Sequence, residues 1–446
     1  MKIYRYNTLK LMFLLTTLLA VTSCETDFDN PNAASADQVY DSREGILAAS
    51  IGMQELYSTT GMRWMIETPA ITTREVGITS TFQNLIDLEN GGDIPNNTSN
   101  IEGLWATMLR VIGIAENIAT EAESLEIEVG TRSGLIAYAK LFHAMSIGAM
   151  AQNYEQVIVA TSDDNPPFVS RIEGFNTAVG LLTEAQTLLA ATPISAEFEA
   201  EILRGEIDLE NTIGAMLARF NLYAGNYDAA IAAASAVDQT SGSVFSYDSQ
   251  NLNPVWARVY QNGVDNFKPR DNFGLPESFV FDDADGRLAF YLIPLDELNL
   301  NQLPIEDLAG FFDGENGSEA IPVYLPDEMN LIIAEANLRK ASPDTGAAIA
   351  ALNLVLTDND DIFGVNANVA AYSGDTSVDA LLDEVYKNRR AELFLTGGSL
   401  EDSRRFGRPE PTPTVQNFDE ERNRNFYPYP LTERDNNTNT PPDPAI

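Results

Sequence analysis

Apolar residues recur along the chain at helical spacing, in paired runs separated by short breaks. Ile213, Met216, Leu217 and Phe220 stand at i, i+3, i+4 and i+7; Gly225-Asn226 interrupts; Tyr227, Ala230, Ile231 and Ala234 resume. This pattern predicts a helical hairpin, with the small Ala218, Ala224 and Ala230 letting its arms approach closely. Three further pairs follow the same logic. Residues 328–340 carry Leu331, Ile332, Ala334, Glu335 and Ala336 and lead through Ser342-Pro343-Asp344 into residues 347–356. Residues 134–152 present Leu135, Tyr138, Phe142 and Met145 towards Phe175, Val179, Leu182 and Leu189. Residues 44–57 present Ile46, Ala49 and Met53 towards Met108, Val111, Ala115 and Ile118 of residues 104–125. Residues 58–103, 153–172, 239–327 and 359–377 lack this spacing and predict long loop-rich insertions, where binding residues commonly lie. The expected fold class is mostly α.

The N-terminus follows a different pattern. Lys2, Arg5 and Lys10 precede an apolar stretch, Leu11 to Val21, too short to span a bilayer as a stable helix. Val21-Thr22-Ser23-Cys24 then resembles the lipobox of bacterial lipoproteins, in which the Cys is lipidated and becomes the mature N-terminus. Residues 1–23 are expected to be a signal peptide and residues 24–36 a leash. Residues 37–446 would form a single body held to the membrane by lipid on Cys24, with no other stretch read as a membrane span.

Composition narrows the chemistry. Of 446 residues, 66 are acidic and 27 basic, a formal charge of −39, which argues against nucleic acid as a partner. The hydrophobic share of 44% suffices for a large core. A single Cys rules out an intrachain disulfide and a Cys-His zinc cluster; a single His means that any His-dependent triad must use His143. His143 itself reads as a helix residue of a repeat. The acidic runs 281–286 and 358–361 lack the full spacing of a calcium loop and read as solvated turns. No cofactor or metal is expected.

Two C-terminal blocks complete a family likeness. Residues 385–407 carry Arg389, Arg390, Glu392, Leu393, Gly397, Asp402 and Arg405, and residues 427–436 carry Pro428, Pro430 and Glu433. Together with the lipobox and with LARFNLYAGNYDAAIAAA, which resembles a tetratricopeptide unit, these blocks resemble the SusD/RagB family of Bacteroidetes outer-membrane nutrient-binding lipoproteins. The chain departs from the family at Asn388, where Glu is usual, and at Thr396-Gly397-Gly398-Ser399, where Glu-Gly-x-Arg is usual. The resemblance implies a SusD-like fold of four tetratricopeptide-like hairpins with insertions. It also implies an exterior-facing, lipid-anchored outer-membrane location, and capture of oligo- or polysaccharide for a SusC-like TonB-dependent transporter, without catalysis. Arg389 and Arg390 are expected to meet Glu392, Glu401 and Asp402 in a partly buried ion network.

Sugar faces stack on exposed aromatic rings, and amides and carboxylates bond sugar hydroxyls. The richest such mixture, residues 244–312, supplies Trp256, Tyr260, Tyr247, Phe273, Asn262 and Asp271 as ligand-binding candidates; Trp64 is another. Trp105, beside Met108 and Ile112 at core spacing, is expected to be structural. A peptide cargo, as in the RagB branch, is the alternative. A two-carboxylate glycosidase is a further one. From net charge alone, neutral glycans are expected over sulfated or uronic ones.

Overall fold

The computed structural model describes residues 39–314 and 316–446. The signal segment and Cys24 lie outside the described residues. Helix α1 (Arg43–Leu56) runs through a wider π turn, Tyr57–Gly61, into α2 (Met62–Thr72). There follow α3 (Gln83–Asn90), α4 (Ser99–Glu121), α5 (Val129–Asn153), α6 (Arg171–Ala191), α7 (Leu209–Ala224), α8 (Tyr227–Ala236) and the single turn α9 (Trp256–Val259). Near the C-terminus lie α10 (Pro326–Arg339), α11 (Thr345–Leu356), α12 (Val378–Glu392) and α13 (Ser399–Arg405).

The four expected hairpins form: α1 packs on α4, α5 on α6, α7 on α8, and α10 on α11. Successive hairpins then stack, α6 against α7 and α8 against α10, so each buries an apolar face it could not bury alone. Capping residues set the breaks. Asp208 and Asp344 accept the amides of Asn211 and Ala347 at 3.0 Å, satisfying first-turn donors of α7 and α11. Helix α5 is long and apolar enough to cross a bilayer, but it is almost wholly buried inside the stack.

Residues 58–103 depart from the expected loop. The first helix simply continues through the π turn, where Tyr247 donates its hydroxyl to the Ser58 carbonyl at 2.9 Å. The run 62–72 hides its helix because it is buried nearly all round and therefore lacks a polar face. Residues 239–327 are mostly loop and turn, as expected, but are braced by short ladders. Strand β1 (Val76–Ile78) pairs antiparallel with β2 (Phe267–Pro269), and β3 (Leu292–Leu298) with β4 (Pro304–Leu308). A bridge between Arg270 and Ile305 links the two ladders.

The expected ion network exists with different wiring. Arg389 grips Asp402 bidentately at 2.8 and 3.0 Å, as expected. Arg390, its neighbour on α12, points about 100° away; it donates to the carbonyls of Phe273, at 3.0 Å, and Thr73. Glu392 faces Arg287 at 3.4 Å, and Glu401 binds Arg171 and Arg404. The hub is Glu335 of α10, which is fully buried and accepts from Arg405 at 2.6 and 2.9 Å and from Arg339 at 2.7 Å.

Burial alone would raise the Glu335 carboxyl, but Arg405, Arg339 and Arg389 outweigh it and hold it down at about 2, below its ordinary 4.5. Its contribution to stability is therefore fully present above about pH 4.5 and is lost as pH falls through about 2. Glu335→Gln should cost about 3–5 kcal/mol at neutral pH in denaturant titrations, by leaving buried guanidinium groups uncompensated. It should also flatten the stability profile between pH 4.5 and 2. A loss under about 1 kcal/mol would show that this hub does not hold the C-terminal block.

Candidate functional site

Several candidate residues turn out to be interior. Phe273 is fully buried against Phe281, Tyr291 and Phe394, so it packs the insertion rather than meeting a ligand. Its left-handed backbone, φ 54°, is held by the hydrogen bond from Arg390 to its carbonyl. Tyr247 is also buried, its hydroxyl spent on Ser58. Both are corrected to loop-packing residues: each ring fills a site between insertion and helices, and a ring buried there has no face for sugar. Trp105 is structural, as expected. It is 2% exposed, stacks on Phe168 and donates Nε1–H to Glu433 at 3.0 Å.

The two half-exposed tryptophans differ in what covers them. Trp64 lies on α2 with the Arg63 guanidinium over its ring, 4.1 Å from the centroid. A Cβ placed on Gly103 would fall 2.4–2.8 Å from three indole atoms, so α4 occupies another side. The indole is therefore shielded, and the group it offers outward is Arg63. Trp256 packs on Gly317, where a Cβ would lie 2.4–3.0 Å from its six-membered ring. Among the described residues no cation or second ring stacks on Trp256. Trp256 is thus half-exposed and free of ring or cation cover among the described residues.

Trp256 and Tyr260 are one helical turn apart and share a side of α9. The Tyr260 hydroxyl donates to Asp307 of β4 at 2.8 Å, and Lys268 of β2 donates to the same oxygen at 3.1 Å. Burial, then Asp307 beside it, pushes the Tyr260 hydroxyl up, keeping it a neutral donor. Burial works against the Asp307 charge, yet Tyr260 and Lys268 hold its carboxyl below the usual range. Asn262 is exposed in the next turn with φ 55°; Asp271 sits half-exposed 3.7 Å from Arg270, on the far end of β2. Arg258, between Trp256 and Tyr260, donates to Glu67 of α2 at 2.6 Å. That pair draws the α2 segment carrying Arg63 and Trp64 to the segment carrying Trp256. Sequence reading missed Arg63, Glu67, Arg258, Lys268 and Asp307. Only Arg258, lodged between two named rings, had a local signal.

One carboxyl pushed up by burial, the half-exposed Glu306, neighbours Asp307 on β4 and accepts the Leu295 amide at 2.6 Å; others lie elsewhere. Glu392 and Glu75 are buried in the C-terminal junction, and Asp327, at the start of α10, is 5% exposed. None of these three faces open solvent as a general acid on a bound sugar would. His143 is half-buried and bonded through Nε2 to the Val159 carbonyl at 2.8 Å, with its pKa lowered by burial. The acidic runs meet backbone: Asp361 accepts the amide of Phe363 at 2.8 Å, and Asp282 that of Ala284 at 2.9 Å.

An interior cavity of about 50 Å³ beside the Arg219–Glu328 pair is too small for a sugar. An open groove of about 700 Å³ between α6, α7 and α8 is lined by Ala229, Ala232, Ala233, Asn211 and Asn221, without an aromatic ring. Trp256 and Tyr260 lie outside both.

This mostly helical stack of hairpins with a ring-bearing insertion defines the class to which the chain is similar. No protein-family model and no curated protein matches the sequence. Solved structures match over nearly the whole chain. A SusD superfamily protein from Bacteroides thetaiotaomicron VPI-5482 aligns with TM-score 0.68 at 18% identity, covering 90% of this chain and 99% of its own. A putative sugar-binding protein from Bacteroides vulgatus ATCC 8482 aligns with TM-score 0.65 at 15% identity, covering 90% and 98%. A structure described as with xylogluco-oligosaccharide gives TM-score 0.65 at 14% identity, covering 90% and 99%. The protein has the SusD fold.

The buried Asp327 carboxyl is pushed up to about 6 by desolvation, despite a hydrogen bond from Asn330 at 2.7 Å. A raised carboxyl contributes stability that is fully present below its unfolded value of about 3.8 and is lost as pH rises through about 6. Asp327→Asn should therefore raise the melting temperature at pH 8 and leave it nearly unchanged at pH 4, a gain of about 1–3 kcal/mol at the higher pH. Equal shifts at both pH values would exclude this role for the carboxyl.

Proposed function

We propose that the protein is a cell-surface glycan-binding lipoprotein that captures oligo- or polysaccharide and passes it to a SusC-like TonB-dependent outer-membrane transporter. On this reading residues 1–23 are removed, lipid on Cys24 anchors the chain, residues 24–36 are a leash, and residues 37–446 form one binding body. The observation that carries the reading is the half-exposed Trp256, on which no cation or second ring stacks among the described residues. Beside it stands a preset Tyr260–Asp307–Lys268 chain able to exchange hydrogen bonds with hydroxyls. The fold supports it, since similar structures include one described as a putative sugar-binding protein and one with xylogluco-oligosaccharide. Binding without chemistry agrees with the deep burial of the raised Glu392, Glu75 and Asp327 carboxyls; the half-exposed, raised Glu306 spends an oxygen on the Leu295 amide. A peptide cargo draws support from the ring-free groove between α6, α7 and α8.

Affinity electrophoresis of residues 25–446 against neutral and anionic polysaccharides tests the reading. At least one polysaccharide should retard the protein, and Trp256→Ala should weaken retardation by about tenfold or more, as loss of about 1.4 kcal/mol of stacking on the ring would do. Trp64→Ala should change it less, because that indole is covered. Retention that survives Trp256→Ala, or release of reducing sugar by the purified protein, would contradict the proposal.

A further inference from the structure

Arg63 has an unmet need for an anion. Its guanidinium is half-buried over Trp64, its Nε is shielded from solvent, and that Nε has no hydrogen-bond acceptor. Among the described residues no carboxylate lies within the 4.0 Å of an ion pair. Of the described arginines only Arg110 shares this lack of partners, and Arg110 is exposed, where water serves. Glu67, one turn along α2, does not fill the role. It accepts from Arg258 at 2.6 Å and from Asn100 at 2.8 Å. Two guanidinium groups therefore share one carboxylate on this face. Burial, and then Arg258, lower the pKa of Arg63, as expected for a cation short of counter-charge.

We propose that Arg63 is the subsite for an anionic substituent, a uronic carboxylate or a sulfate ester, of the glycan bound at the Trp256 face. This inference rests on the glycan-binding reading and specifies its ligand class. A planar guanidinium matches the paired oxygens of either anion, and partial burial strengthens the contact. The Glu67–Arg258 pair places the subsite beside α9. A net charge of −39 does not prevent it, because screening over about 8 Å leaves the local field of the two arginines in control at contact. The inference reverses the preference for neutral glycans expected from net charge alone.

The test compares retention of the wild type, Arg63→Gln and Trp256→Ala in gels containing polygalacturonate, dextran sulfate or neutral xyloglucan, with thermal melting as a check of folding. Polygalacturonate or dextran sulfate should retard the wild type, and whichever does so identifies the anion. Arg63→Gln should weaken that retention by about tenfold or more, as loss of a charge-assisted bond does. It should alter retention by xyloglucan less than about twofold. A second reading needs no variant: free galacturonate or sulfate should displace the wild type at concentrations where galactose does not. Retention by xyloglucan alone, lost in Trp256→Ala and untouched in Arg63→Gln, would overturn the anionic subsite and leave the glycan reading standing. Retention by none of the three would overturn both.

Discussion

The structure depends on one buried carboxylate. Glu335 sits on the hairpin nearest the C-terminus and gathers Arg405 and Arg339, with Arg389 close by at 3.9 Å and linked through Asp402. Such a cluster is costly to desolvate and stable only when complete. Its geometry fixes α12 and α13 against the repeats, and from there constraint spreads outward. Arg390, the next residue on α12, reaches the carbonyls of Thr73 and Phe273 and so pins the turn after α2 to the third insertion. The C-terminal segment closes the other side, where Glu433 takes the Trp105 indole and Tyr427 bonds Thr72 at 2.6 Å.

These constraints position the half-exposed Trp256 ring. Helix α9 is a single turn and could not hold Trp256 in place by itself. Asn253 fixes its start, accepting the amides of Val255 and Trp256 at 3.1 Å while donating to the carbonyls of Phe311 and Glu319. Arg258 ties it to α2, and Tyr260 ties its end to β4. The result is a ring on a rigid mount with polar groups already oriented, which lowers the entropy lost on binding.

The repeats were legible because helices that bury one face write a 3.6-residue period into the chain, as at Ile213 to Phe220. Helix α2 was not, because burial on nearly every side erases that period. The ion network was half legible. Arg389 and Asp402 lie close in sequence on neighbouring helices, but Glu335 is far away in the chain, and Arg390 is turned off by helical geometry. Among the rings, composition marked an insertion rich in aromatics but could not tell its buried members from its half-exposed ones. Whether an indole is open depends on distant partners: Gly103 covers Trp64 from 39 positions away and Gly317 backs Trp256 from 61. Phe273 looked like a platform because the rings that bury it, Phe281, Tyr291 and Phe394, stand 8 to 121 positions away and carry no local signal of contact.

Net charge and local charge point different ways in this protein, and the local geometry decides contact. The central claim is that cargo is held on the α9 face and not in the larger ring-free groove. Hydrogen–deuterium exchange of residues 25–446, with and without saturating oligogalacturonate or xyloglucan oligosaccharide, tests it most directly. Exchange should slow in residues 253–268 and 304–313, with residues 183–237 unchanged. Protection confined to residues 183–237 would contradict it.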